Sequence, residues 1–207
     1  MQCSDQVRPR RADERRQRLL ETARALFIEH GFHGTGVAQL AAASGVKVGQ
    51  IYRDFSSKED IIAAIVEADV SAFLNEEELK AAVERGDRSA LRTWIAGFFA
   101  PSTATAEDRL MPEIVAEAGR NPRMAQIFTE QEDRIRACLL AALGVLIGKT
   151  DAQRKEQAVG LADLILTLGI GFCNRRLFVP SESLALAAES AWSFVERELE
   201  TLTASSP

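Results

Sequence analysis

The chain has 207 residues, 46% of them hydrophobic and 27% charged, with a formal net charge of −5, the composition of a soluble globular protein of one large or two small domains. Its longest near-uncharged apolar run, Cys138 to Gly148, is about half the roughly 20 residues a membrane helix needs, and no apolar stretch follows the arginine-rich start, so neither a membrane span nor a secretory signal is expected. Three scattered cysteines (Cys3, Cys138, Cys173) and two histidines leave little for a disulfide framework, a metal site or histidine catalysis, and suit a reducing cytoplasm.

The periodicity is helical nearly throughout and no segment alternates like a strand. A first helix is predicted from Ala12 to His30, with Leu19, Leu20, Ala23, Phe27 and Ile28 on one face and Gly31 as its left-handed stop. Thr35 is placed to cap a short helix, Val37 to Ser44. After a break at Gly45, another short helix runs from Lys47 to Phe55. Ser56-x-x-Glu59 has the form of a capping box, and Ser57 can cap as well. The helix that follows is predicted to run unbroken from Lys58 past Leu79 to Arg85. Then come Ala90 to Ala100, stopped by Pro101; a loop, Ser102 to Ala106; a helix ending near Gly119; and long helices from Asn121-Pro122 to Gly148, Asp151 to Phe178 and Ser183 to Leu202. About nine helices and no strand make an all-α protein.

Charge is unevenly spread. Residues 1–60 hold ten Lys/Arg against eight Asp/Glu, a net of +2, whereas residues 61–207 hold fifteen against twenty-two, a net of −7. Six arginines fall in the first eighteen residues: Arg8, Arg10, Arg11, Arg15, Arg16 and Arg18. A basic head on an acidic body is the footprint of a small nucleic-acid-binding domain attached to a second domain, although such tails are also found simply solvated. The expected division is therefore 1–60 and 61–207.

Within the head, two short helices meet at Ser44-Gly45-Val46, with the small Ala41 four residues before the glycine. This is helix-turn-helix spacing, in which the second helix enters the major groove. On that helix Val48, Ile51 and Phe55 are expected to face inward, and Lys47, Gln50, Arg53 and Asp54 outward. Gly49 lets the backbone approach DNA closely.

The same residues resemble the DNA-binding domain of TetR-type transcriptional repressors. The match runs from Arg16 to Asp60 without a gap, through Gly31-Phe32, Thr35, Leu40-Ala41, Ser44-Gly45-Val46, Gly49-Gln50-Ile51-Tyr52, Phe55 and Ser57-Lys58-Glu59. The resemblance implies that the hydroxyls of Thr35 and Tyr52 contact phosphate and that Lys58 neutralises one, contacts that orient without reading sequence. Gln50 would read adenine, and Lys47 or Arg53 guanine. The arginines of residues 8–18 would add salt-sensitive affinity. Four positions depart from the family pattern: Lys47 where a serine often caps, Val48 for a common lysine, Gly36 for a second Thr or Ser, and Asp54 for a polar or basic residue. Asp54 either accepts from cytosine N4 or, as we favour, pairs with a neighbouring arginine.

By the same resemblance, the remainder forms a helical domain that dimerises and holds a small-molecule effector. The last two helices are apolar over more than one face, with Ala158, Leu161, Ala162, Ile165, Leu168, Gly169 and Phe172 on one and Leu184, Ala188, Ala191, Trp192, Val195 and Leu199 on the other. This favours a homodimer through these helices over the alternative of a well-packed monomer core. A pocket is expected among Trp94, Phe98, Phe99, Met111, Phe128, Leu166 and Phe172. Glu113, Glu117, Gln131, Asp163, Thr167 and Asn174 would supply its polar groups, although any one aromatic there can equally be plain core. Asp163 stands out, because a buried carboxylate needs a ligand, an arginine or a helix end. No catalytic residue, metal or cofactor is expected. Two readings follow. One is a dimeric repressor on a palindromic operator, released by a small lipophilic molecule and, by family analogy, guarding an efflux system. The other is a DNA-binding regulator or assembly factor whose C-terminal domain binds a protein.

Overall fold

A computed structural model describes residues 11–100, 107–148 and 151–204. Cys3, Arg8, Arg10, Pro101 and the Ser102–Ala106 loop lie outside the described residues. Those described contain ten α-helices and no strand: α1 Arg11–Gly34, α2 Val37–Ser44, α3 Val48–Asp54, α4 Lys58–Leu74, α5 Glu76–Arg85, α6 Arg88–Ala96, α7 Leu110–Ala118, α8 Pro122–Ile147, α9 Ala152–Arg175 and α10 Ser181–Ala204. The chain divides into two compact units within α4, between Val66 and Glu67.

The N-terminal unit buries Leu19, Ala23 and Phe27 of α1, Leu40 of α2, Ile51 of α3, and Ile61, Ile62 and Ile65 of α4. These are the three- and four-residue repeats of the sequence turned inward. Gly31 interrupts α1 at φ 73°, ψ 166°, and the assigned helix resumes to Gly34. The cap expected from Thr35 does not form. Gly36 is the N-cap of α2 and no side chain caps it. Instead the Thr35 hydroxyl, fully buried, lies 3.0 Å from the carbonyl oxygen of Gly31 and 3.1 Å from that of Leu26, and donates to them. The turn between α2 and α3 forms as expected: Gly45 is left-handed (φ 69°) and its N–H donates to Ala41. Ser44 reinforces it, donating its hydroxyl to Leu40 and accepting from the Val46 N–H. Ser57 accepts from the N–H of Asp60 at the start of α4.

One expected helix is two. The stretch from Lys58 to Arg85 breaks at Asn75, a left-handed residue at φ 43°. Asparagine tolerates this conformation better than other non-glycine residues, and its amide donates to Glu78. Arg134 of α8 spans the break, donating to Glu76 at 2.7 Å and to Ser71 Oγ at 3.0 Å. This contact holds the Glu76 carboxyl below the usual carboxylate range. That effect is present at neutral pH and fades as pH falls through the lowered value.

The C-terminal unit is centred on Leu91, Ile95 and Phe99, on Leu139, Leu143 and Leu146 of α8, and on Ala162, Ile165, Val195 and Leu199 of α9 and α10. Asn121 and Asp151 cap α8 and α9 by accepting backbone N–H bonds. The predicted helix from Ala90 to Ala100 starts earlier, at Arg88, and its last turn tightens to a 3₁₀ segment, Gly97–Phe99. By length and composition α9 could cross a membrane, which a search for uncharged runs misses because Asp163 interrupts it. Its inward face, Leu161, Ala162, Ile165, Leu166, Gly169 and Phe172, is core of this unit.

Candidate nucleic-acid interface

α3 begins at Val48, with Lys47 as an N-cap in extended conformation that makes no side-chain capping bond. Ile51 and the C-cap residue Phe55 are buried and fix the inner face of the helix. Val48 was expected beside them but is 42% exposed, because it stands at the first helical position, beyond the contact with α2. The outward face carries Lys47, Gly49, Tyr52 and Arg53, all exposed, and the half-buried Gln50. A Cβ built on Gly49 would meet nothing within 4 Å, so the fold itself imposes no demand for glycine there. The resulting surface is seven residues of helix with two cations, an amide, a phenol and a bare stretch of backbone. Such a surface can donate to phosphates and to base edges.

Two expected phosphate contacts are corrected. The Thr35 hydroxyl is directed inward, as described, and satisfies the carbonyls at the end of α1. Lys58 reaches back across the same turn: its Nζ donates to the carbonyl oxygens of Phe32 and Thr35 and sits 4.1 Å from the centre of the Phe32 ring. Both residues therefore secure the α1–α2 junction. Thr35→Val, which keeps the shape and deletes the hydroxyl, should cost about 1 kcal/mol of stability. Thermal unfolding would register this with DNA affinity per folded molecule unchanged.

The N-terminal arginines also find partners within the head. Arg15 forms an ion pair with Asp54 at 3.1 Å, which settles Asp54 as a paired residue. The Arg16 guanidinium lies 5.0 Å above the Phe55 ring, and Arg18 Nε donates to the carbonyl of Ser44. Sequence reading assigned all three to DNA. The contacts were hidden because they join residues 26 to 39 positions apart.

In the C-terminal unit the apolar members of the expected effector set pack on one another as core and do not enclose a common cavity. Phe98 and Trp94 pack edge-on at 5.2 Å, and Phe73, a residue the sequence reading passed over, meets Phe98 at 4.9 Å. Phe98 also lies close against the α9 backbone at Gly169, and Phe99 packs on Phe172. Leu166 is buried with them. Glu117 is buried and paired with Arg120 at 3.4 Å, whereas Glu113 is exposed. Asp163 is 44% exposed rather than buried, and of the partners expected for it takes an arginine, Arg136, at 3.0 Å. Two further polar groups turn to their own helix. Thr167 is exposed and donates to the carbonyl of Asp163 one turn back. Asn174 does the same to Ile170. Met111, Phe128 and Gln131 are half-buried. A cavity of about 160 Å³ is bounded by Trp94 with Leu74, Asn75, Glu78, Leu79, Ala82, Ala90 and Leu91. This is below the roughly 300–1,000 Å³ of most small-molecule sites. The indole N–H of Trp94 and the Oε1 of Gln131 are buried without a hydrogen-bond partner. Burial pushes the thiols of Cys138 and Cys173 up. Among the described residues no group of His, Cys, Asp and Glu is arranged to hold a metal.

The apolar faces of the last two helices divide between core and surface. Leu161, Ala162, Ile165, Gly169, Phe172, Leu184, Ala188, Val195 and Leu199 are spent on the core of their own unit. What α9 and α10 leave outside is a different surface, with Val159, Phe194 and Leu186 exposed and an open groove of about 240 Å³ lined by Gly160, Leu164, Phe194 and Leu202.

The short-helix pair, its left-handed turn and its exposed polar second helix define a helix-turn-helix DNA-binding domain. Residues 19–65 match the model of the bacterial regulatory proteins of the tetR family, so the N-terminal domain resembles the DNA-binding domain of that family. The chain is similar to the transcriptional activator FasR of Mycolicibacterium smegmatis, 30% identical over 87 residues, covering 42% of this chain and 40% of FasR. It is also similar to the repressor AcnR of Corynebacterium diphtheriae, 40% identical over 57 residues, 28% of this chain and 30% of AcnR. The chain thus spans less than half the length of these curated relatives. The whole fold is shared with a TetR-family transcriptional regulator of Mesorhizobium loti, with a TM-score of 0.66 at 20% identity over 93% of this chain and 98% of that one.

Proposed function

We propose that this protein is a cytoplasmic, dimeric repressor that binds a palindromic operator and is released by a small lipophilic effector. The observation that carries the DNA half is the outward face of α3, where Lys47, Gln50, Tyr52 and Arg53 surround a glycine that the fold does not require. The exposed Arg11 is placed to add salt-dependent affinity. Dimerisation is supported by the apolar surface that α9 and α10 leave uncovered at Val159, Phe194 and Leu186, and by the short reach of a single helix-turn-helix, which twofold pairing on half-sites remedies. The effector half rests on Trp94, which borders the 160 Å³ cavity and whose indole N–H is buried without a hydrogen-bond partner. A buried polar group of this kind is normally hydrogen-bonded, and a ligand acceptor would satisfy it. An effector that changed operator affinity by about 1–3 kcal/mol would suffice for control. Efflux genes are the regulated set that this reading implies.

A second reading, in which the C-terminal unit binds a protein, is favoured by the small cavity and by Phe178 and Leu186, 74% and 68% exposed. A screen of lipophilic compounds for release of the protein–operator complex separates the two. Release by a compound, lost in Trp94→Phe, supports the effector; a complex that no compound releases supports the protein partner. Within the DNA half, Tyr52→Phe should weaken binding to all duplexes alike, whereas Gln50→Ala should cost about 1–3 kcal/mol at one base position only. Binding of both variants to single-base operator variants measures this, and the reverse pattern would overturn the assignment.

A further inference from the structure

We propose that Arg15 and Asp54 are positioning residues for DNA recognition: their ion pair ties the C-terminal end of α3 to α1 and so sets the angle at which the recognition face enters the groove. This rests on reading α3 as the DNA-reading helix. The geometry has three parts. Asp54 is the last residue of α3, and its Oδ2 and Oδ1 lie 3.1 and 3.5 Å from one nitrogen of Arg15. Both side chains are largely withdrawn from water, at 27% and 20% exposure, and Arg15 Nε is wholly enclosed. Two neighbouring arginines grip the same motif. Arg16 covers Phe55, the C-cap of α3, and Arg18 holds the carbonyl of Ser44 at the end of α2.

This arrangement explains a carboxylate in a place that faces a polyanion. α3 is only seven residues long and has no side-chain cap at its N-terminus, so little within the helix fixes its direction. An ion pair at its far end, away from full solvent, supplies that constraint more effectively than an exposed pair could. It also removes Arg15 from the count of phosphate contacts. A phosphate-binding arginine and a positioning arginine differ in a measurable way. The first contributes about 0.9 to the salt slope of binding, and the second contributes nothing to it.

The test uses the full chain and two duplexes, one carrying the site selected from random DNA and one scrambled. Asp54→Asn, Arg15→Gln and the double variant are compared with the unaltered protein across a salt series, with thermal unfolding as a check that each is folded. Positioning predicts that Asp54→Asn loses about tenfold on the selected site despite shedding a negative charge, with the scrambled duplex bound no more weakly. Arg15→Gln should lose by a similar factor with its salt slope unchanged, and the double variant should be no worse than either single one. If Asp54→Asn bound both duplexes more tightly, or Arg15→Gln lowered the slope by about one and weakened both equally, the proposal would be overturned. Asp54→Glu, which keeps the charge on a longer arm, should recover part of the loss, and failure to do so while folded would also count against it. If the unaltered protein itself did not distinguish the two duplexes, the DNA-reading assignment of α3 would fall, and this proposal with it.

Discussion

Replacing Gly49 by alanine should leave the protein folded, slightly more stable, and unable to hold its operator. Glycine within a helix costs about 0.5–1 kcal/mol relative to alanine, and the added methyl at position 49 would meet no protein atom within 4 Å. The free protein therefore gains from the change, and its Tm should rise by roughly 1–4 °C. The residue nonetheless stands in the second helical position of α3, between exposed Val48 and half-buried Gln50. Its bare backbone suits a surface approached closely by something outside the chain. A methyl group interposed there would hold α3 away from the DNA and lengthen several phosphate contacts together, a loss on the order of 3 kcal/mol, or about 100-fold in affinity. Measuring Tm and operator affinity on the same preparation checks both halves. A variant that binds as well as the original would remove the reason for assigning Gly49 to the interface.

Lys58→Met should have the opposite signature. The ammonium group of Lys58 donates to two backbone carbonyls and lies over the Phe32 ring. Its loss leaves the Phe32 and Thr35 carbonyls short of a charged donor and removes a cation–π contact. Charge-assisted bonds of this kind are worth about 1.5–3 kcal/mol, so a total near 2 kcal/mol is expected, allowing for the hydrophobic replacement. For a chain of this size that lowers Tm by roughly 4–8 °C. The salt dependence of DNA binding should stay as it was, because the charge is directed into the α1–α2 junction. A fall of about one in the salt slope with Tm unchanged would restore Lys58 to the phosphate backbone.

These two residues mark what was legible in the sequence. Local signals survived folding: the turn at Gly45, the bounds of α2, the helix starts at Asn121-Pro122 and Asp151 and the Ser57 cap each depend on neighbours within four residues. The resemblance to TetR-type regulators was legible for the same reason, since its motif is contiguous. Long-range partners were not. Lys58 and Arg15 looked like free cations because their partners, Phe32 and Asp54, lie 26 and 39 positions away. Asp163 drew attention as a buried acid, but the arginine that pairs with it comes from α8. The apolar faces of α9 and α10 were visible as periodicity. Which side would be spent on the unit's own core and which left for a partner depends on packing that periodicity does not encode. The break at Asn75 was hidden by unbroken helix-forming residues on both sides, since the left-handed turn there replaces an expected straight helix without any glycine or proline to announce it.

The central claim is that this chain reads DNA through α3 as a twofold dimer. Iterated selection of bound duplexes from a random-sequence pool, with the full chain at near-physiological salt, tests it most directly. The account predicts enrichment of an inverted repeat whose half-site centres are spaced by about one helical turn or more, with the enrichment lost in Gly49→Ala. A pool that stays random, or that converges on a site without twofold symmetry, would contradict it.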